Sequence, residues 1–381
     1  MFLATQSKQD KEYYTRLLKS AGSLSNLFSE SDEPYLYYRF VENLFCKSFK
    51  ADNLSRSDTS ADAAKNKLGI GIKTFSFRSG NTFEKIAEFN KDSVAIRKLG
   101  EKEIIKEIAK LRNGRIKATQ RIFGLSDMIY HCVARRKGGI LLFEVSMDLV
   151  NLDKISHLEV EGNILNFKDD KNDYKYNISK STLYKRFAAE KIISDFDVEI
   201  LKDPFSQLEK IYADIRKLVF LPIKQQEHIF LPLYSYDKGE KRVFEKSGLN
   251  QWNASGRPRD LGEVYIPIPA WIHKTYPNFF PARDVKFILK LPNRNELKVS
   301  LCQEGSKALM SDPNKALGEW LLRNVLGLKE GEILTYSKLE ELNLDSVVIY
   351  KNSDEEFSID FTKIDSFENF KNDIDATGNS D

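Results

Sequence analysis

An acidic residue and a lysine stand on either side of a short, largely apolar hairpin in the first part of the sequence. Asp62 precedes residues 63–72, and Lys73 follows them. On adjacent strands, carboxylate oxygens could hold Mg²⁺ and a lysine could orient or activate a water molecule. The spacing therefore indicates metal-dependent hydrolysis. A purely structural interpretation stays open, in which Lys73 is a strand-edge lysine and Asp62 caps a turn.

Amide and arginine side chains are concentrated in residues 248–259, a segment that contains no acid. Asparagine and glutamine can bond adenine bidentately, whereas arginine can bond guanine or a phosphate. This composition suits the reading of DNA bases. The side chains of this kind are Asn250, Gln251, Asn253, Arg257 and Arg259.

A second polar cluster, residues 302–315, lies just before the apolar stretch 317–326 and offers Lys307, Ser311 and Asn314. Two polar arms on one β scaffold could grip a DNA groove from both sides. The alternative is that both clusters are ordinary turns rich in Asn and Pro.

Composition limits the classes of protein to consider. The 381 residues carry 59 Lys+Arg and 56 Asp+Glu, with 41% hydrophobic residues, which suits a globular chain of two domains. The apolar runs are too short to cross a bilayer, and no apolar signal core is present. Three widely spaced cysteines support neither a disulfide framework nor a zinc ribbon. We expect a cytoplasmic protein without a membrane partner.

The pattern of elements changes near Phe220. Before it, helical periodicity and alternating apolar residues predict an α+β domain with a mixed sheet. After it, short strands with Pro at their ends predict a barrel-like β domain. The predicted elements before Phe220 are two helices within 8–50, a hairpin at 62–77, helices at 101–112 and 203–218, and antiparallel strands at 128–134, 139–145, 157–161, 164–167 and 174–178.

Residues 230–361 resemble the DNA-recognition domain of the BfiI and NgoAVII restriction enzymes. The resemblance rests on segments that occur in the same order: GLNQWNA at 248–254, EVYIPIP at 263–269, FFPARD at 279–284, KALMSDPN at 307–314, LGEWLL at 317–322 and DSVVIYK at 345–351. It implies a pseudobarrel of the plant transcription-factor type, whose two arms enter the major groove of double-stranded DNA. The arms then fall on 250–259 and 307–314, with Lys351 as an additional contact.

The segment 69–75, GIGIKTF, resembles the second core strand of PD-(D/E)XK nucleases. By this resemblance Asp62 and Lys73 are catalytic, and Glu42 lies on the acidic helix often found in that fold. The sequence departs from the pattern at Gly71, where the family has an acid. Another acid must then complete the site, and the candidates are Glu42 and Glu88, with Asp58 as an alternative strand acid.

Other nuclease chemistries lack their residues. A phospholipase-D-type domain needs a His-x-Lys motif, and none of the four histidines has a lysine two residues later. An HNH site needs clustered histidines, whereas these four are scattered. Hydrolysis by carboxylates, a lysine and Mg²⁺ is what remains.

Together these features predict a type II restriction endonuclease of the α+β class. The predicted parts are a restriction-endonuclease-like domain at 1–220 with a mixed sheet, a DNA-recognition pseudobarrel at 221–361 and a disordered acidic tail at 362–381. Asp62 and Glu42 would hold Mg²⁺. The cognate DNA methyltransferase is expected as a genetic neighbour, and the oligomeric state stays open. The alternative is a non-catalytic, sequence-specific DNA-binding protein or regulator with an N-terminal assembly domain.

Overall fold

The structure is a computed structural model that describes residues 1–55, 59–77, 80–215, 226–246, 248–250, 260 and 262–378. No helix in these ranges is long and apolar enough to cross a membrane. The helices are α1 Lys8–Ser23, α2 Tyr38–Phe49, α3 Ser93–Ile96, α4 Glu101–Phe123, α5 Pro204–Ile215, α6 Ala270–Thr275, α7 Ala316–Gly318, α8 Tyr336–Leu342 and α9 Ser366–Gly378. A π-helical segment, Glu319–Val325, follows α7.

Within the described ranges, twenty strands form three larger sheets and one small hairpin. Those of the first half are β1 Asp52–Asn53, β2 Ala63–Lys65, β3 Leu68–Ser76, β4 Asn81–Glu88, β5 Asp127–Arg136, β6 Gly139–Ser146, β7 Ser156–Glu161, β8 Ile164–Lys168, β9 Asp173–Asn177, β10 Thr182–Ala188 and β11 Ile192–Asp197. Those of the second half are β12 His228–Pro232, β13 Ser235–Asp237, β14 Glu240–Arg242, β15 Ile266–Pro267, β16 Phe287–Lys290, β17 Glu296–Cys302, β18 Ala308–Asp312, β19 Leu344–Lys351 and β20 Glu356–Lys363.

The chain divides into two compact units. Unit 1 takes in the described residues of 1–55, 59–116 and 125–222, whereas unit 2 takes in those of 117–124 and 223–381. The end of α4 thus belongs to unit 2. The predicted boundary at Phe220 lies outside the described residues and stays a prediction.

The first sheet of unit 1 has the order β1-β2-β3-β5-β6-β11. β2 and β3 form the hairpin that the sequence predicts, and its turn residues Asn66 and Lys67 have φ of 51° and 63°, as a tight hairpin turn requires. β3 then pairs in parallel with β5, after a connection that contains α4. One face of this sheet packs on α1 and α2 through Phe45, Ile70 and other apolar side chains.

A buried polar chain crosses this α1/α2 core. The Tyr14 hydroxyl lies 3.2 Å from Nε2 of His131, and Nδ1 of the same imidazole lies 3.3 Å from Oε1 of Glu144. That oxygen also accepts a hydrogen bond of 2.9 Å from the backbone N–H of Leu3. Oε2 of Glu144 is buried without a hydrogen-bond partner among the described residues. These hydrogen bonds therefore connect the N-terminal residues to the sheet.

The second sheet of unit 1 is antiparallel, with the order β4-β10-β9-β8-β7. Its core side chains Leu165, Phe167 and Tyr174 are buried together with Ile105 and Ile108 of α4. α4 begins at the predicted residue but continues to Phe123. Ala118 and Ile122 are four residues apart and both buried, and this continued helical spacing explains the longer helix.

The seven-stranded sheet of unit 2 has the order β12-β19-β20-β16-β17-β18-β15 and is nearly closed and barrel-like. All its pairs are antiparallel except β16 with β20. Its interior is filled by alternating apolar side chains such as Leu289, Val299, Leu301 and Phe357. This architecture agrees with the predicted barrel-like β domain and fits a pseudobarrel.

The C-terminal segment differs from the expectation. Disorder was predicted for 362–381, yet β20 runs to Lys363 and α9 occupies Ser366–Gly378. The aromatic rings of α9 explain the order, because Phe367 lies 5.9 Å from the Trp271 ring and Phe370 lies 5.0 Å from the Phe230 ring. Apolar burial outweighs the acidic composition of this segment.

Candidate functional site

The carboxylate of Asp62 is held at the edge of β3. The backbone N–H of Asp62 donates to the Ile70 carbonyl at 2.9 Å, and its Oδ2 accepts a hydrogen bond of 2.7 Å from the N–H of Ile72. Asp62 is the residue immediately before β2, which is only three residues long. It lies alongside β3, to which both of these hydrogen bonds connect it. Asp62 therefore stands beside Lys73, the residue that follows Ile72.

Glu42 approaches the same place from α2. Its side chain is nearly buried, and its Oε2 accepts a hydrogen bond of 2.9 Å from Arg39. Burial raises the pKa of Glu42, and the negative charge of Asp62 raises it further, against the opposing charges of Arg39 and Lys73. Burial likewise raises the pKa of Asp62, and the positive charge of Lys73 is the largest of the effects that lower it. The structure thus brings together three of the four predicted catalytic residues.

The buried carboxylate of Glu42 and the partly buried carboxylate of Asp62 both have raised pKa values. A divalent cation would stabilise this arrangement, since it supplies positive charge. Asp62 and Glu42 can each offer oxygen ligands of the kind Mg²⁺ prefers. The positive charge of Lys73 opposes the rise in the pKa of both carboxylates, and its Nζ lies 5.9 Å from the centroid of the Tyr130 ring. The donor set therefore fits the predicted metal.

Glu88, the fourth predicted catalytic residue, lies at the end of β4 and is not part of this cluster. Its carboxylate accepts hydrogen bonds from Lys85 at 3.1 Å and Asn90 at 2.8 Å, which lower its pKa. Its charge is thus satisfied by neighbours on its own strand and turn. The structure gives no sign that Glu88 completes the site.

Glu84, which the sequence analysis missed, is the acid of β4 whose pKa is influenced by the charge of Lys73. Burial raises its pKa, opposed by a hydrogen bond from Thr82 and by the charges of Lys73 and Arg135. The pairing of β4 with β10 shifts register between Leu183 and Tyr184. This register shift is a β-bulge, and it lies between Glu84 and Glu88. Because a bulge interrupts the alternation of side chains along a strand, the sequence could not indicate which of the two acids lies on the inner face.

Gly71 is glycine because its neighbours leave little space. A Cβ on Gly71 would lie 2.7 Å from Cε of Met147 and 3.0 Å from Cδ1 of Tyr130. The acid that the PD-(D/E)XK pattern has at this position would therefore point into occupied volume. This contact explains the departure from the pattern in physical terms.

We predict that Gly71→Asp lowers the stability of unit 1 by about 1–3 kcal/mol, because the side chain must displace Met147 or the Tyr130 ring. No gain in DNA cleavage is expected. Urea unfolding monitored by circular dichroism, together with a cleavage assay, would test both statements. A variant that is as stable as the parent and cleaves faster would show that position 71 can supply a ligand.

In unit 2, most of the first predicted arm lies outside the described residues. Gln251, Asn253, Arg257 and Arg259 fall there, as does Asp58, the alternative strand acid, so these stay predictions. Asn250 is described and is nearly buried. Its Nδ2 donates to the carbonyls of Phe244 (3.0 Å) and Leu334 (2.9 Å), and its Oδ1 accepts from the Leu334 N–H at 2.8 Å. The amide thus anchors the base of the arm, and we do not retain it as a base contact.

The second arm contains both structural and exposed polar groups. Ser311 is buried, and its Oγ accepts from the Leu317 N–H at 2.8 Å and donates to the Pro313 carbonyl at 3.0 Å. It therefore shapes the turn before α7. Asn314 is exposed, and its Nδ2 donates to Glu263 at 3.2 Å. Lys307 is exposed, and as the cation of this arm it could contact a phosphate.

The predicted additional contact, Lys351, is partly covered. Its Nζ donates to the Asn278 carbonyl at 3.0 Å and lies 2.8 Å from Oδ1 of Asp354. Because Asp354 is highly exposed, this ion pair is weak. Lys351 could exchange that carboxylate for a phosphate.

A group of three acids in unit 2 is already bridged by one lysine. Oxygens of Asp345, Asp365 and Glu368 lie within 4.8 Å of one another, and this is the one group of three possible metal ligands in the part of the chain that the structure describes. Nζ of Lys241 lies 2.9, 2.8 and 3.2 Å from these acids. The ammonium thus takes the place that a cation would occupy.

Comparison with known proteins concerns unit 2. No curated protein matches the chain. Residues 223–353 match the model of the NgoFVII C-terminal B3-like DNA-binding domain, a domain that lies at the C-terminus of restriction enzymes. The match takes in β12 to β19, and hence most of the nearly closed sheet and the whole second arm. Unit 2 is therefore similar to a restriction-enzyme DNA-binding domain.

Proposed function

We propose that the protein is a type II restriction endonuclease that hydrolyses double-stranded DNA at a specific site with Mg²⁺. The observation that carries this proposal is the cluster of Glu42, Asp62 and Lys73 on a chain whose second unit is similar to a restriction-enzyme DNA-binding domain. The hairpin β2-β3, followed by a helical connection to the parallel strand β5, further supports a PD-(D/E)XK-like unit 1.

Each residue of the cluster has a distinct role in this proposal. Asp62 and Glu42 would hold Mg²⁺, which supplies positive charge to the scissile phosphate. Lys73 orients the attacking water and favours its deprotonated form. In-line attack on phosphorus then breaks the bond to the 3′ oxygen of the preceding nucleotide and leaves a 3′-hydroxyl and a 5′-phosphate. Arg39 holds Glu42 in position through their 2.9 Å contact.

The first test is digestion of phage DNA by the purified full-length protein, with Mg²⁺ and with EDTA, followed by run-off sequencing of the ends. Discrete fragments that depend on Mg²⁺ are expected, and the ends would reveal the recognition site. Resistance of DNA from a host that expresses the methyltransferase gene expected beside this one would connect the two activities. Intact DNA in every condition would contradict the proposal.

A comparison of variants at Glu84 and Glu88 would show which of these acids joins Asp62 and Glu42 in the proposed active site. We expect Glu84→Gln to lower the cleavage rate by about 10–100-fold, because its carboxylate lies in the field of Lys73 and loss of an outer carboxylate has effects of this size. Glu88→Gln removes the same charge from the same strand and should leave the rate unchanged. Single-turnover cleavage of a site-containing duplex would measure both. The reverse ranking would restore Glu88 as the site residue.

A non-catalytic DNA-binding protein or regulator is the second candidate, and Gly71 is the observation that favours it. A PD-(D/E)XK-like unit without the strand acid could have lost its activity and serve as an assembly domain. Intact DNA that nevertheless shows a sequence-specific gel shift would support this candidate. The recognition site and the oligomeric state are to be measured in either case.

A further inference from the structure

A cavity of about 620 Å³ opens on unit 2 beside α9. Its walls include the aromatic side chains of Tyr236, Tyr265, Trp271 and Phe367. Three prolines complete the apolar surface: Pro232 of β12, Pro267 of β15 and Pro269 just before α6. This volume lies within the range of small-molecule sites. Flat rings around a cavity of this size suit a flat ligand such as a nucleobase.

Two lysines stand at the cavity. Lys307 and Lys371 both line it and are exposed. Neither ammonium is paired with a carboxylate among the described residues, so both can meet an anion. The nearby acid Glu368 is engaged by Lys241 at 3.2 Å and by the Tyr236 hydroxyl at 2.8 Å. Aromatic walls and available cations together favour a ligand with a base and a phosphate.

The cavity also adjoins the bases of both predicted arms. The N–H of Tyr265 donates to the Gly248 carbonyl at 2.9 Å, and Gly248 lies just before the first arm. The N–H of Ile268 donates at 2.8 Å to the carbonyl of Lys307, the first residue of the second arm. DNA held by the two arms would therefore lie within reach of the cavity.

We propose that this cavity receives one unstacked nucleotide of the DNA bound by unit 2. The base stacks on Tyr236 and Trp271, and Lys307 and Lys371 meet the phosphates on either side of it. Stacking on aromatic rings is tolerant of base identity, so the cavity adds affinity without dictating sequence. The inference rests on DNA binding by unit 2 and does not depend on cleavage.

Photo-crosslinking of the full-length protein in EDTA tests this inference apart from nuclease activity. The probe is oligothymidine with one 5-iodouracil base, used single-stranded and annealed to oligodeoxyadenosine. Irradiation followed by peptide mass spectrometry should give an adduct on Tyr236, Tyr265 or Trp271. An adduct from the single strand alone indicates an unpaired strand as the source, whereas one from the duplex as well indicates an extrahelical base.

Two variants at Tyr236 provide the control. Its side chain is 54% exposed, so substitution is compatible with folding. Tyr236→Ser should lower the adduct yield about tenfold, as loss of a stacking ring does, whereas Tyr236→Phe keeps the ring and should retain the yield. Equal yields from all three proteins, adducts confined to 251–259 and 311–314, or no adduct with either probe would each overturn the inference.

Discussion

Lys73→Ala is expected to lower the rate of DNA cleavage by about 10²–10⁴-fold, the usual contribution of a residue that assists proton transfer. DNA affinity should not change, because the proposed recognition groups lie in unit 2 and Lys73 lies on β3 of unit 1. Single-turnover cleavage with saturating enzyme isolates the chemical step, and a gel shift in EDTA measures binding separately.

Lys67→Ala is the matched control for this variant. Lys67 belongs to the same hairpin but lies in its exposed turn, six residues before the catalytic candidate. The substitution removes one positive charge from the same region, so it should leave the chemical step unchanged. Normal cleavage by Lys73→Ala, or an equal loss in both variants, would show that the active site is misplaced.

Glu144→Ala is expected to destabilise unit 1 by about 3 kcal/mol or more. The substitution leaves the His131 imidazole and the Leu3 N–H without their buried partner, and removing one member of a buried pair has effects of this size. Glu144→Gln keeps an oxygen for the Leu3 N–H, and its loss should be smaller. Urea unfolding monitored by hydrogen exchange of unit 1 amides would rank the two.

Glu159→Ala serves as the reference for this series. Glu159 is an exposed acid on β7 of the same unit, and its removal should change stability by less than about 0.5 kcal/mol. If Glu144→Ala unfolds at the same urea concentration as this reference, the Tyr14–His131–Glu144 chain does not hold the N-terminus on the sheet.

The hairpin that carries the candidate catalytic residues could be predicted from the sequence because its signals are local. Ile70 and Ile72 alternate with smaller or polar residues, and the turn at Asn66 and Lys67 tolerates positive φ. These features act within ten residues of each other, where pattern and propensity agree. Glu42 was found through a resemblance, and the structure places it with Asp62 through the packing of α2.

Other features depended on long-range packing. The bulge between β4 and β10 separates Glu84, whose pKa is influenced by the charge of Lys73, from Glu88. Asn250 looked like a base-reading amide, but its partners lie on segments that are distant in sequence, such as Leu334. The acidic composition of residues 366–378 pointed to disorder instead of helix α9. The aromatic rings on which α9 packs come from distant parts of unit 2, so the local sequence did not indicate this packing.

The parallel pairing of β3 with β5 has a consequence for biosynthesis. Lys73 lies opposite Cys132 in this pair, and all of β4, α3 and α4 is synthesised between the two strands. Pairing between strands so distant in sequence is slow because a long loop must close first. The emerging chain therefore cannot complete the lysine-bearing sheet until β5 has left the ribosome. We therefore expect a nascent or truncated chain ending before β5 to lack the nuclease activity that we propose for the complete chain.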